Sequence, residues 1–199
     1  MQYPNWFNVT GLANFERFLT PLAGKRGLRF LQIGAFTGDA SVWLLDNILN
    51  GPESTLVDVD TWEGSKELSH EQFDWCDVER VYDERTARFT RAGRLFKYIG
   101  SSAAFFVEDD LPHPYRGDEG YDFIYIDGAH DAYMCLNDGI SAYKVLKVGG
   151  LLAFDDYQWH SGKGLLYDPQ PAIDAIGFIY GDRLEPIEIG AQAWFRRVA

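Results

Sequence analysis

Asp127 is followed three residues later by His130, and an adjacent acidic pair, Asp155-Asp156, comes further along the chain. Carboxylates brought into one cleft repel each other unless something positive is held between them. An all-oxygen donor set favours a hard divalent cation such as Mg2+, which keeps waters or substrate oxygens in its shell. Asp127, Asp155 and Asp156 are the candidate metal ligands; the competing use of such residues is to cap helices or loops. An imidazole beside that site has the near-neutral pKa suited to taking a proton from a hydroxyl, which makes His130 the candidate general base. Its competing role is that of a helix-entry histidine packed on a loop.

A second set of residues suits a cofactor. The turn Gly34-Ala-Phe-Thr-Gly38 carries two glycines, which let a backbone approach a ligand closely. It lacks the third glycine of a dinucleotide fingerprint and the Gly-Lys-Ser/Thr of a phosphate loop. Asp60 follows at the end of the next apolar run, where an acid accepts hydrogen bonds from both hydroxyls of a ribose. Asp58 is the rival, two residues earlier and inside the expected strand. Turn and acid together point to an adenosine cofactor without a diphosphate, and leave nicotinamide and sulfonium cofactors open.

These residues need a scaffold that gathers them. Apolar runs at 28–33, 54–59, 95–99, 123–126 and 151–154 read as strands, each followed by a polar cluster: the glycine turn, Asp60, Gly100-Ser101-Ser102, Asp127 to His130, and Asp155-Asp156. Helical patterns at 40–49, 77–91, 102–107, 132–146 and 172–180 alternate with them, the signature of parallel β-α-β units. In such sheets ligands bind beyond the carboxyl ends of the strands. The ending differs: strands at 183–189 and 192–197 are joined by Gly190-Ala191 alone, too short for a parallel crossover, so the last strand runs antiparallel. The expected architecture is α/β, a doubly wound sheet with a C-terminal antiparallel hairpin strand. Residues 1–27, with a helix expected at 10–22, form an N-terminal extension on a single domain covering 1–199.

Composition narrows the class. With 18 Lys and Arg against 30 Asp and Glu, the net charge is −12, which repels a phosphate backbone and argues against nucleic acid as substrate. Arg85, Arg88, Arg91 and Arg94 have helical spacing and are expected to form a solvated face. At 46% hydrophobic and 16% aromatic the chain can fill a core, and two cysteines are too few for a disulfide scaffold. No run approaches the ~20 apolar residues of a membrane span, and no secretory leader is visible at the start, so a cytoplasmic protein is expected. A homodimer is the ordinary prior for the assembly.

With these residues in view, the sequence resembles the class I S-adenosylmethionine-dependent methyltransferases, and within them the type-24 methyltransferase domains related to macrocin-type sugar O-methyltransferases. The resemblance rests on LQIGAFTGDASVWLLDNIL, VDVDTWEG, KYIGSS, the long block from YDFIYIDGAHDAY to GGLLAFDDYQW, and PQPAIDAIGFIY. It implies a Rossmann-like, mostly parallel seven-stranded sheet. It also implies that Gln32, Gly34, Ala35, Phe36 and Ser41 lie along the methionine part of S-adenosylmethionine. Asp60 would hold the ribose, Thr61 and Trp62 would lie near the adenine, and Ser101, Ser102 and Asp127 would complete the cofactor site. Asp127, Asp155 and Asp156 match the metal ligands of metal-dependent relatives, and His130 matches the base. Gln32 and Ala40 depart from the family pattern, which has an acid and commonly a hydroxyl there. The activity implied is transfer of a methyl group to a hydroxyl of a small molecule or sugar; the alternative is a silent cofactor-binding or assembly protein of the same fold. Phe73, Trp75, Tyr157, Trp159 and Tyr167, with His70 and His160, are candidate walls of the acceptor pocket.

Overall fold

The computed structural model describes residues 3–65, 70–108, 110–112, 115 and 120–199. Part of the expected pocket wall, residues 66–69, and most of the loop between 109 and 119 therefore lie outside the described residues. The central sheet has seven strands in the order β3-β2-β1-β4-β5-β7-β6. These are β1 (Arg29–Ile33), β2 (Thr55–Asp60), β3 (Leu95–Ile99), β4 (Tyr121–Ile126), β5 (Leu146–Phe154), β6 (Leu184–Ile189) and β7 (Ala193–Arg197). The first five are parallel, while β7 pairs antiparallel with both β5 and β6, as the short link of three residues, Gly190 to Gln192, requires.

Among the described residues, seven α-helices accompany the sheet: α1 (Trp6–Thr10), α2 (Leu12–Leu19), α3 (Asp39–Asn47), α4 (Trp75–Arg91), α5 (Ser102–Val107), α6 (Ala132–Val145) and α7 (Gln170–Tyr180). Strand side chains alternate between faces, so each strand feeds two cores. Phe30, Phe123 and Trp194 pack with Phe15, Leu19, Leu44 and Tyr82 on one face, against α2, α3 and α4. Leu31, Ile124, Leu152 and Phe195 pack with Phe105, Ala142 and Ile176 on the other, against α5, α6 and α7. Every residue of β1 is buried, which is what a central parallel strand covered on both sides demands. The strand order reverses between β1 and β4, and that reversal opens the crevice in which ligands sit.

Two expectations are corrected. The helix expected at 10–22 is two helices broken at Gly11, followed by a 3-10 turn at Thr20–Leu22. A side chain at Gly11 would meet the Phe7 ring at 2.9 Å and the Gln192 amide at 3.1 Å, so the break is fixed by packing. The strand expected to begin after Gly149-Gly150 begins at Leu146, and the pairing with β4 shifts register between Tyr121 and Phe123. The glycines sit in that irregularity, where a bulge tolerates them. As expected, Arg85, Arg88 and Arg91 are exposed, and two of them also tie α4 to α3: Arg85 pairs with Asp39 and Arg88 with Asp46, both at 2.5 Å. Arg94 donates to the carbonyls of Leu45 and Leu49. Those carbonyls lie in the last turn of α3 and just beyond it, where a cation is welcome.

Candidate active site

The crevice is built first by a close approach. Gly34 follows β1 with φ 84°, and a Cβ there would lie 1.8 Å from the Asp127 carbonyl oxygen. No side chain fits, so the ends of β1 and β4 touch through backbone alone, reinforced by Asp127 N–H donating to the Ile33 carbonyl at 2.8 Å. Gly38, also left-handed, stands immediately before α3. Asp39 is the first residue of that helix, and its carboxylate accepts from Thr37, Asn5 and Arg85.

Asp60 organises the turn. One oxygen accepts from the backbone N–H groups of Ala35 (2.7 Å) and Phe36 (3.0 Å), and the other from Trp62 N–H at 2.9 Å. Phe36 and Trp62 both take positive φ, 49° in each, and the Trp62 indole donates to the Phe36 carbonyl at 3.0 Å. These bonds hold two residues in a conformation that non-glycine side chains disfavour. Gln32, buried on β1, donates to the Gly34 carbonyl at 2.8 Å, and Ser41 lies 3.5 Å from its side-chain oxygen. Thr61 accepts from Glu63 N–H, Ser101 caps α5 by accepting from Ala104 N–H, and the Ser102 hydroxyl bonds Asp138. Burial pushes Asp138 up to about 6, and Ser102 opposes that rise. Beside Asp60, Asp58 is fully buried and accepts from Tyr82 Oη at 2.7 Å; burial pushes it up to about 7.

The carboxylates gather at the ends of β4 and β5. Donor atoms of Asp127, His130 and Asp156 all lie within 4.8 Å of one another, close enough to share one cation. Asp156 reaches this position through a left-handed backbone, φ 57°, and its Oδ2 stands 2.8 Å from His130 Nε2. The Trp159 ring packs against the imidazole at 4.6 Å between centroids. Asp155 stands outside that group of donors. Its Oδ2 is turned to Tyr125 Oη at 2.7 Å, while its Oδ1 is buried with no hydrogen-bond partner. Desolvation, then the charges of Asp155 and Asp156, push Asp127 well above the usual carboxylate range; His130 opposes the shift. Asp155 rises for the same first reason, with Asp156 next.

An orphaned buried oxygen and carboxylates crowded enough to resist ionising are the marks of a site whose charge balance a cation completes. The residues present therefore fit a divalent ion: Asp127, His130 and Asp156 converge, and Asp155 Oδ1 is buried without a hydrogen-bond partner. The candidate pocket walls divide. Trp159 faces His130, whereas His160 pairs with Asp168 at 3.2 Å and Tyr157 Oη donates to Asp174 at 2.9 Å. Phe73 and Trp75 join Tyr3, Trp6 and His70 in an aromatic array around Phe36. Sequence reasoning missed Tyr125, Thr10 and Gln192. The hydroxyl of Tyr125, two residues before Asp127 and so on the same face of the register, was the available signal.

A doubly wound sheet with an antiparallel seventh strand, a glycine turn against an acid at the switch point, and acids after β4 and β5 define a Rossmann-like methyltransferase. The profile of the Methyltransf_24 family, a methyltransferase domain, matches residues 31–157, and the chain belongs to that family of class I S-adenosylmethionine-dependent enzymes. It is 28% identical over 154 residues to the uncharacterized protein R132 of Acanthamoeba polyphaga mimivirus, covering 67% of this chain and 65% of that protein. The chain thus matches somewhat less than two thirds of that relative's length. Among solved structures it is similar to the O-methyltransferase TomG of Streptomyces achromogenes, in complex with SAM, at TM-score 0.61 and 17% identity over 86% of this chain and 73% of that one. An O-methyltransferase of Bacillus cereus in complex with SAH aligns at 0.61 and 16%, over 96% and 88%. A putative rRNA-methylase of Clostridium thermocellum aligns at 0.66 and 8%, over 100% and 99%. At such identities these likenesses speak for the fold.

Proposed function

We propose that this methyltransferase is a divalent-cation-assisted O-methyltransferase that acts on a hydroxyl of a small molecule or sugar. The observation that supports it is the convergence of Asp127, His130 and Asp156 beside the orphaned oxygen of Asp155, at the edge where Gly34 meets Asp127. S-adenosylmethionine supplies an electrophilic methyl, and a bound cation such as Mg2+ lowers the pKa of a hydroxyl it contacts. Asp127 and Asp156, with Asp155 Oδ1, are the residues that would hold the cation. His130 removes the hydroxyl proton, and Asp156, 2.8 Å from its Nε2, stabilises the imidazolium that results. The oxygen takes the methyl, the sulfonium becomes a neutral sulfide, and the proton remains on His130 until solvent removes it. No covalent enzyme intermediate is needed, so alignment and placed charge carry the rate.

The aromatic array around Phe36 and the ring of Trp159 are the surfaces that would shape the acceptor. The test is transfer of isotopically labelled methyl from S-adenosylmethionine to a panel of vicinal diols, catechols and sugars, with Mg2+ and with chelator. Chelator-sensitive transfer is expected, and His130→Ala should slow it by about a hundredfold while leaving cofactor binding in place. Transfer that ignores the chelator overturns the metal role, and cofactor binding without transfer to any acceptor favours a silent binding protein.

A further inference from the structure

Behind the carboxylate cluster runs a buried polar chain that proton transfer at His130 does not use. Tyr125, on β4, has no exposed surface, yet its hydroxyl donates to Asp155 Oδ2 at 2.7 Å and lies 3.3 Å from Asp127 Oδ2. It touches two carboxylates that stand at the ends of different strands. Gln192, in the link between β6 and β7, is equally enclosed. Its Oε1 accepts from Trp194 Nε1 at 2.9 Å and from Asn14 Nδ2 at 3.1 Å. Two donors on that oxygen fix the amide's orientation and leave its Nε2 group facing the Asp155 carboxylate, buried and without a hydrogen-bond partner, as Asp155 Oδ1 also is. From α1, Thr10 Oγ1 reaches Asp155 Oδ2 at 3.4 Å.

Polar side chains without exposed surface cost free energy that apolar residues of similar volume would not. Here the groups share one target, the carboxylate of Asp155, and they come from β4, the C-terminal hairpin and the N-terminal helices. We propose that Tyr125 and Gln192 are positioning residues that hold Asp155 in register with Asp127 and thereby set the affinity of the cluster for a divalent cation. This rests on the metal-assisted reading above. It also gives the N-terminal helices a part in the site, because Asn14 orients the amide that faces Asp155.

The test uses the full chain with Mn2+ as probe, read by electron paramagnetic resonance of the free ion, with cofactor affinity and melting temperature measured alongside. Tyr125→Phe and Gln192→Glu should each weaken Mn2+ binding about tenfold, the range seen when groups behind a metal ligand are altered, with cofactor affinity unchanged. In an Asp155→Asn background the loss from Tyr125→Phe should shrink to less than about twofold, because the hydroxyl acts through that carboxylate. Unchanged Mn2+ affinity in both single variants overturns the proposal, and so does a tenfold loss that persists in the Asp155→Asn background. Wild-type protein that binds no Mn2+ fails at the earlier step and overturns the metal-assisted reading with it.

Discussion

At the end of β2, Asp60 commits both oxygens to three backbone N–H groups, whereas at the ends of β4 and β5 three aspartates crowd together and one of their oxygens has no partner. Both regions lie on the carboxyl edge of one sheet, and both carry acids at strand ends. The turn is closed by its own chain: both Asp60 oxygens and the N–H groups of Ala35, Phe36 and Trp62 are paired before any ligand arrives. The carboxylate half is open, with a buried oxygen of Asp155 that no hydrogen bond satisfies. A preformed cradle and an incomplete charge balance are the two conditions under which one edge can bind a cofactor and respond to an ion.

The seam between the halves is Gly34, and breaking it should have the largest effect. Gly34→Ala places a Cβ against the Asp127 carbonyl at a position with φ 84°, so backbone must move. The expected cost is more than about 3 kcal/mol, combining left-handed strain with overpacking. Urea denaturation measures it; a loss under about 1 kcal/mol would show that the strand ends do not depend on this contact.

The same chemical change should then have opposite signs in the two halves. Asp60→Asn puts an amide N–H against a backbone N–H and should destabilise by about 2 kcal/mol, the scale of a hydrogen bond to a charged group. Asp127→Asn removes one of the repelling charges and should leave the chelated protein as stable as wild type or about 1 kcal/mol more so, at the expense of its response to Mg2+. Parallel denaturation curves at pH 7 with chelator decide this. Equal losses in both variants would erase the distinction between a closed half and an open one.

Much of this contrast was legible in the sequence, and what was not follows from particular residues. Strand ends could be read because apolar runs stop at polar residues, and Gly190-Ala191 alone dictated the antiparallel ending. Asp60 was legible as a functional acid, but its grip on Ala35 and Phe36 was not, since backbone donors carry no sequence signal. Asp155 and Asp156 are neighbours of identical type, and only the left-handed backbone of Asp156 separates the one facing His130 from the one facing Tyr125. Gln192 was hidden by distance: it meets Asn14 across 178 positions of chain, and a lone glutamine in a hairpin link reads as solvent-exposed. The arginine row was legible as an exposed face, but its partners on another helix were not, because helical spacing carries no sign of what a side chain meets.

Asp58 sharpens the comparison from inside the closed half. Burial raises it to about 7 from an ordinary value of 3.8, so the folded state favours its protonated form. Below pH 4 both folded and unfolded chains hold the proton and its contribution is fully present; as pH rises toward and through 7 that contribution is lost. Asp58→Asn keeps an acceptor for Tyr82 and should flatten stability between pH 4 and 7, a change of about 3 kcal/mol across the window. A pH profile of unfolding free energy, recorded for both proteins with chelator, would show parallel curves if Asp58 stays ionised.

The smallest effect is expected where neither condition holds. Arg88 and Asp46 form an ion pair at 2.5 Å between α4 and α3, with side chains 62% and 43% exposed. Water and salt screen such a pair, so Arg88→Ala should cost no more than about 0.5 kcal/mol, and the cost should vanish in high salt. The same arginine also lies over the Phe89 ring at 4.4 Å, and any remainder that survives salt belongs to that packing. A loss above about 1.5 kcal/mol that ignores salt would mean that the arginine row holds α4 on α3 by more than charge, and that the closed half owes part of its order to the helices behind it.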